Sequence, residues 1–376
     1  MNITNLTKVN IFVFLTKLLF GSIIFFIPLY LTGIKLSGLE IGLLLGIFSI
    51  SGLLLSLPIG ISSDLLSSKK NAIFGFIAAS IFLFGISFFN QFYLLVILFF
   101  IGGFGFNATW VSLQTIMLKS EHGKKGEGKK VGKYNLFFYF GSAASFFTAG
   151  LFLNFYDYQT FFRLLGFLFL IVAVMAFSLK DAKRTKVKIE EYTKGFFTKE
   201  VLLFLIPLVL FTFHWGAEVT SYTLFLKQAF ALNTFETGLY LSIPVIFLGI
   251  VAYLGGKWID KKGDYKKLFA FAILISGIGH ITMIYPNLAI SFTSRIVHEI
   301  GDGLAMTAIV YWTAKLFKKD KIGGHASAIT TITLFSQFLG SVIFGPIGES
   351  FGYGIPLAIS GALMLIAIPF VLHSKK

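Results

Sequence analysis

The sequence predicts an all-α membrane protein, with twelve transmembrane helices arranged as two pseudo-symmetric six-helix bundles. Three observations predict it. Apolar segments of about 20 residues, enough for a helix to cross a bilayer, recur from end to end of the 376-residue chain. Only 13% of residues are charged and 56% are hydrophobic, with a mean hydropathy of +0.83, whereas a soluble domain carries about 25% charged residues. Landmarks of the first half also return in the second half at one constant offset.

In chain order, spans are expected near 9–31, 39–63, 71–89, 91–118, 134–156, 159–179, 200–226, 236–256, 268–286, 287–317, 326–348 and 353–373. The first lacks a small-residue cleavage site and is long enough to span, so it is expected as a retained helix rather than a signal peptide. The longest polar stretch divides the chain into a bundle over 1–179, a cytoplasmic linker over 180–199 and a bundle over 200–376. No hydrophilic segment is large enough for a soluble enzyme core. With no cysteine, disulfides and Cys-based metal sites are excluded, and no cofactor is expected.

The net charge of +15 does not call for a nucleic-acid partner. Of the 32 Lys and Arg residues, all but Lys17, Lys35, Arg163, Lys227 and Arg295 fall in segments on one side of this topology. That bias puts both termini in the cytoplasm of a protein of the cell membrane, in contact with anionic lipid. The aromatic content, 47 Phe included, carries no functional weight by itself. The basic run Gly123–Lys130 approaches a P-loop but ends in Lys where Ser or Thr must bind Mg²⁺, and no strand precedes it.

The halves read as repeats. Glu40-Ile-Gly42-Leu43 returns as Glu236-Thr-Gly238-Leu239, and the same offset carries Gly60 to Gly256, Asp64 to Asp260 and Gly105 to Gly301. The loop after the eighth span reads Gly256-Lys-Trp-Ile-Asp260-Lys261-Lys262-Gly263. It resembles the G-x-x-x-D-[RK]-x-G signature of the major facilitator superfamily. Its partner, Gly60-Ile-Ser-Ser-Asp64, keeps the Gly, the Asp and a later basic pair but lacks both the basic residue after the Asp and the second Gly. The resemblance covers the whole chain. It implies a secondary transporter working by alternating access, not an enzyme, in which Gly60, Asp64, Gly256, Asp260, Lys261 and Gly263 form a conformational latch. It further implies that spans one, four, seven and ten line a central cavity.

Ionisable residues inside spans agree with that implication. Lys17 lies in span one, Glu218 in span seven, and Arg295, Glu299 and Asp302 in span ten. Facing lipid, five charges would together cost roughly 15 kcal/mol, comparable to a protein's whole stability. Arg295, His298, Glu299 and Asp302 are spaced i, i+3, i+4, i+7 and share one helical face; His214 and Glu218 share a face at i, i+4. An ion pair Glu218–Arg295 is expected, and Lys17 is expected to pair with Asp302 or to gate the inner mouth. Glu218 and Glu299, assisted by His214 and His298, are candidates for proton coupling; the competing reading is a static salt-bridge network. His280, lacking an acidic companion, is expected as a packed, hydrogen-bonded histidine. Asn107, Trp110 and Gln114, with Trp215 and Tyr222, are expected to line the substrate cavity; for Asn107 and Gln114, helix–helix packing is the alternative. The family's frequent span-four arginine has no counterpart, since Phe99 occupies the position equivalent to Arg295.

A rival reading treats His298-Glu299-Ile-Gly-Asp302 as a variant HExxH metalloprotease site. It leaves the twin halves and the paired Gly–Asp loops unexplained. The expected activity is therefore transport of a small organic solute, proton-coupled, by a monomer with no resident metal. Multidrug or metabolite efflux by proton antiport is the alternative, although span five lacks the family's antiporter motif. With both signs in the cavity, charge selects neither anions nor cations.

Overall fold

The computed structural model describes residues 4–120, 127–184, 198–317 and 322–373. Fourteen α-helices carry nearly all of them: α1 Asn5–Phe20, α2 Ile23–Gly33, α3 Gly38–Ser62, α4 Ser68–Phe88, α5 Phe92–Lys119, α6 Glu127–Leu153, α7 Tyr158–Met175, α8 Lys199–Thr212, α9 His214–Phe230, α10 Thr234–Lys262, α11 Tyr265–Thr282, α12 Leu288–Leu316, α13 Ile322–Phe351 and α14 Gly354–His373. The pairs α1–α2 and α8–α9 are each one pass with a break. Counted so, the helices are consistent with twelve passes in two bundles. The central part of the expected linker, 185–197, lies outside the described residues, as do residues 121–126 of the basic run.

Nine helical stretches among the described residues are long and apolar enough to cross a membrane. One of them, Gly38–Phe88, contains two passes, because a π-helical turn at Ser63–Ser67 joins α3 to α4 without a loop. Two passes fall short of that criterion for visible reasons. Lys266 and Lys267 open α11, and α12 carries the charged stripe. Elsewhere the outer surface is apolar. On α7, Phe167, Ile171 and Val174 are 57%, 42% and 70% exposed, while Phe162, Leu165, Phe169 and Val172 are buried. In a bilayer the exposed face meets acyl chains.

The two halves begin their second passes alike. Ser37 caps α3 and Glu40 reaches back to it; Asn233 caps α10 and Glu236 does the same. Each box satisfies two orphan N–H groups reciprocally. The repeated glycines then permit close helix approach between bundles. A Cβ on Gly42 would lie 2.7 Å from the Ser341 carbonyl oxygen of α13, and one on Gly238 would lie 2.6 Å from that of Phe146 on α6. Thus α3 packs on α13 and α10 on α6 near the face opposite the termini. The Gly38 N–H also donates to Glu349 Oε2 at 2.9 Å, and Thr223 Oγ1 on α9 donates to the Phe25 carbonyl of α2 at 2.7 Å. Inside the first bundle, Phe20 packs against Phe48, Phe82, Phe106 and Phe169 at centroid distances of 5.2–6.4 Å. There the phenylalanines serve packing.

Candidate functional site

The α12 stripe faces protein. Arg295, His298, Glu299 and Asp302 are 2%, 0%, 4% and 5% exposed. Opposite them stands α9, which starts at His214 after the break at Phe213. Arg295 Nη1 donates to Glu218 Oε1 and Nη2 to Glu299 Oε1. The expected Glu218–Arg295 pair is present, with Glu299 as a second partner. A planar guanidinium can serve two carboxylates at once, which a point-charged ammonium does less well. Tyr222 backs the arginine, with its ring centroid 4.3 Å from Cζ.

Two imidazoles complete the network. His298 Nδ1 lies 3.0 Å from the Ser276 carbonyl oxygen and 3.0 Å from Ser276 Oγ. Ser276 Oγ donates to Asp302 Oδ1 at 2.6 Å, so it accepts from His298, and Nδ1 carries a proton. Nε2 of the same ring is 3.2 Å from Glu218 Oε1. A neutral ring has one donor only, so this contact needs a second proton, on Nε2 or on the carboxylate. His214 repeats the pattern: Nδ1 meets the Phe211 carbonyl and Nε2 lies 3.2 Å from Asp302 Oδ2. With both protons on the imidazoles, three cations face three carboxylates. Without them, one cation faces three.

His280 is packed and hydrogen-bonded, as expected, and its ring also lies beside this cluster. It hydrogen-bonds Ser360 Oγ at 3.2 Å, and its ring centroid is 4.5 Å from that of His298 and 5.2 Å from that of His214. These ring neighbours come from α9 and α12 and are imidazoles rather than acids, so its own helix carries no sign of them. Ser276 was also missed; a lone serine in an apolar span carries no signal.

A cavity of about 380 Å³ adjoins the network. Glu218, Arg295, Glu299 and Asp302 reach it from one bundle; Lys17, Asn107, Trp110 and Gln114 reach it from the other, with Trp215 nearby. Two expectations change here. Tyr222 is fully buried behind Arg295 and does not line the cavity. Lys17 does not pair with Asp302, which His214 and Ser276 hold; instead its Nζ sits 4.0, 4.6 and 5.5 Å from the ring centroids of Phe138, Phe106 and Trp110. Asn107 does both things that were weighed for it: it lines the cavity and accepts from Ser56 Oγ at 2.9 Å across the α3–α5 contact. The walls also use helices outside the expected four, including Phe138 and Tyr139 of α6 and Thr330, Thr333 and Gln337 of α13. The last three repeat the i, i+3, i+7 polar pattern of span four and were legible by it.

The two signature segments differ. Asp64 is fully buried in the π-helical turn and meets Lys119 Nζ at 2.6 Å. Asp260 and Lys261 are exposed on the last turn of α10. Gly60 and Gly256 are buried. Gly263 ends α10 with φ +72°, a left-handed cap that glycine adopts without strain.

His214, Glu218 and His298 bring ligand-type atoms within 4.8 Å of one another. They do not fit a metal centre. The guanidinium of Arg295 already occupies Glu218 Oε1 and would repel a second cation there. The metalloprotease reading also fails on geometry, because Glu299, its required free base, is bound to Arg295.

Comparison with known proteins agrees with this architecture. The family model described as Major Facilitator Superfamily matches residues 9–269 and 208–375. An uncharacterized MFS-type transporter of Methanocaldococcus jannaschii is 22% identical over 367 residues, 91% of this chain and 92% of that protein. The Bacillus subtilis protein YwtG, named for metabolite transport, is 26% identical over 164 residues; that match spans 42% of this chain and only 35% of the relative. Among solved structures, the nucleoside transporter NupG superposes with a TM-score of 0.77 at 14% identity, covering 99% of each chain. A bacterial homologue of the human lysosomal transporter Spinster, inward-facing and occupied, gives 0.76 at 14% identity, covering 98% of this chain and 96% of that one.

Proposed function

The chain belongs to the major facilitator superfamily and is a membrane transport protein rather than an enzyme; within that activity we propose secondary active transport of a small organic solute, coupled to protons, by alternating access. The solute occupies the cavity between the bundles. Protons load the carboxylate–imidazole pairs at its wall. The protein sits in the cell membrane as a monomer with both termini cytoplasmic.

One observation carries the coupling. His298 commits Nδ1–H to Ser276 and still turns Nε2 toward Glu218, which supports a proton shared between them. Arg295 touches the same carboxylate oxygen. If Arg295 shifts with the helices, the charge beside that proton changes, and its affinity changes with it. Loading and release thereby follow conformation. The other titratable groups around the pair are His214 on α9, Glu299 and Asp302 on α12, and His280 on α11, all buried.

The test uses proteoliposomes with an imposed pH gradient. Glu218→Gln should abolish gradient-driven accumulation of solute while preserving exchange of solute across the membrane. Accumulation that survives in Glu218→Gln would sink the coupling and leave the network a structural brace.

A further inference from the structure

Lys17 stands apart from every other charge at the cavity. Arg295 is taken by Glu218 and Glu299, and Asp302 is held by His214 and Ser276. Among the described residues no carboxylate or hydrogen-bond acceptor reaches Lys17 Nζ, which rests on the faces of Phe138, Phe106 and Trp110. Ring faces attract an ammonium but leave its three N–H donors unused. Tyr134 lines the same wall, and its buried hydroxyl has no hydrogen-bond partner among the described residues. With both imidazoles protonated, one wall is electrically satisfied, while the other offers a cation and a hydroxyl donor with nothing to receive them. The buried, unpartnered Tyr134 hydroxyl is costly as it stands, and the half-buried Lys17 ammonium lacks a counter-charge, so the cavity favours a guest that satisfies both.

We infer that the transported solute is an organic anion: its carboxylate, sulfonate or phosphate binds Lys17 Nζ and the Tyr134 hydroxyl, and its planar apolar body lies against Phe106, Trp110 and Phe138. An organic cation would meet Lys17 as a like charge. A neutral solute would leave the ammonium unpaired. At about 380 Å³ the cavity is in the range of sites that enclose one small molecule. This rests on the cavity being the solute path proposed above.

The experiment follows thermal unfolding of the purified full chain in detergent with matched probes. These are benzoate, 2-naphthoate, indole-3-acetate and naphthalene-2-sulfonate, each beside its primary amide and the amine of the same ring. At least one anion should raise the melting temperature dose-dependently at tenfold lower concentration than its amide or amine. Lys17→Gln should weaken that anion at least tenfold, Lys17→Arg should retain it, and Tyr134→Phe should weaken it less than Lys17→Gln. If Lys17→Gln does not fold, the anion–amide comparison in the unaltered chain and the Tyr134→Phe variant decide. The inference falls if no anion stabilises, if amide or amine does as well, or if Lys17→Gln binds unchanged. The coupling has a separate readout: anion binding without pH-driven uptake would retain the anion and remove the coupling, whereas pH-driven uptake of an amine would do the reverse.

Discussion

Arg295 holds two buried carboxylates at once, and its removal leaves both unpaired. Breaking a buried ion pair from one side typically costs about 3–5 kcal/mol. Arg295→Gln should lower unfolding stability by about that much, measured by denaturation in detergent. Adding Glu218→Gln to it should recover part of the loss, because one stranded charge then disappears. Arg295→Lys should fall between, since a single ammonium cannot span both partners. Ser276 is the quieter member of the network: its hydroxyl donates to Asp302 and accepts from His298. Ser276→Ala should cost about 1.5–3 kcal/mol, the range for hydrogen bonds to charged groups, by the same measurement.

At the scale of the element, breaks and caps decide where side chains arrive. The first pass of each half is interrupted, at Gly21–Ser22 and at Phe213. The first break is repaired from outside, as Ser145 Oγ of α6 accepts the Ser22 N–H at 2.9 Å. The second delivers His214 to Asp302. Beyond the membrane segments, Asp157 caps α7 by accepting the Thr160 N–H at 2.7 Å, which holds its carboxyl below the usual range. A lowered folded-state pKa stabilises above the unfolded value of about 3.9. The contribution is lost as pH falls through the lower folded value. The stability difference between the unaltered chain and Asp157→Ala should therefore be constant near neutrality and shrink in acid. A difference independent of pH would show that the charge of the cap is irrelevant.

At the scale of the whole molecule, the bundles meet through glycines near one face, while near the other the Asp64 turn pairs with Lys119 inside the first bundle and touches α13. A side chain at Gly238 cannot be absorbed, because the obstacle is the Phe146 backbone. Gly238→Val should hold the bundles apart there. The chain has no cysteine, so Thr223→Cys gives a clean probe; its thiol labelling should be slow alone and faster when combined with Gly238→Val. For the latch, we propose that neutralising the buried aspartate matters more. Asp64→Asn should slow transport more than Asp260→Asn, with membrane insertion intact in both. Equal rates would remove Asp64 from that role.

The sequence by itself determined the passes, the twin halves, the family and the inward stripe of α12. A bilayer makes those features expensive to disguise: an apolar run of fixed length and a charge within it each have few permissible placements. It also determined that Glu218 and Arg295 belong together, since helical spacing and antiparallel passes set their depths. Only the tertiary structure decided the remaining partners. Lys17, expected to pair with Asp302 or to gate the inner mouth, rests on three aromatic faces, Tyr222 moved behind Arg295, and His280 joined two histidines from other helices. These outcomes depend on the rotation and tilt of each helix about its axis. Packing sets those angles over the whole interface, and no local spacing encodes them.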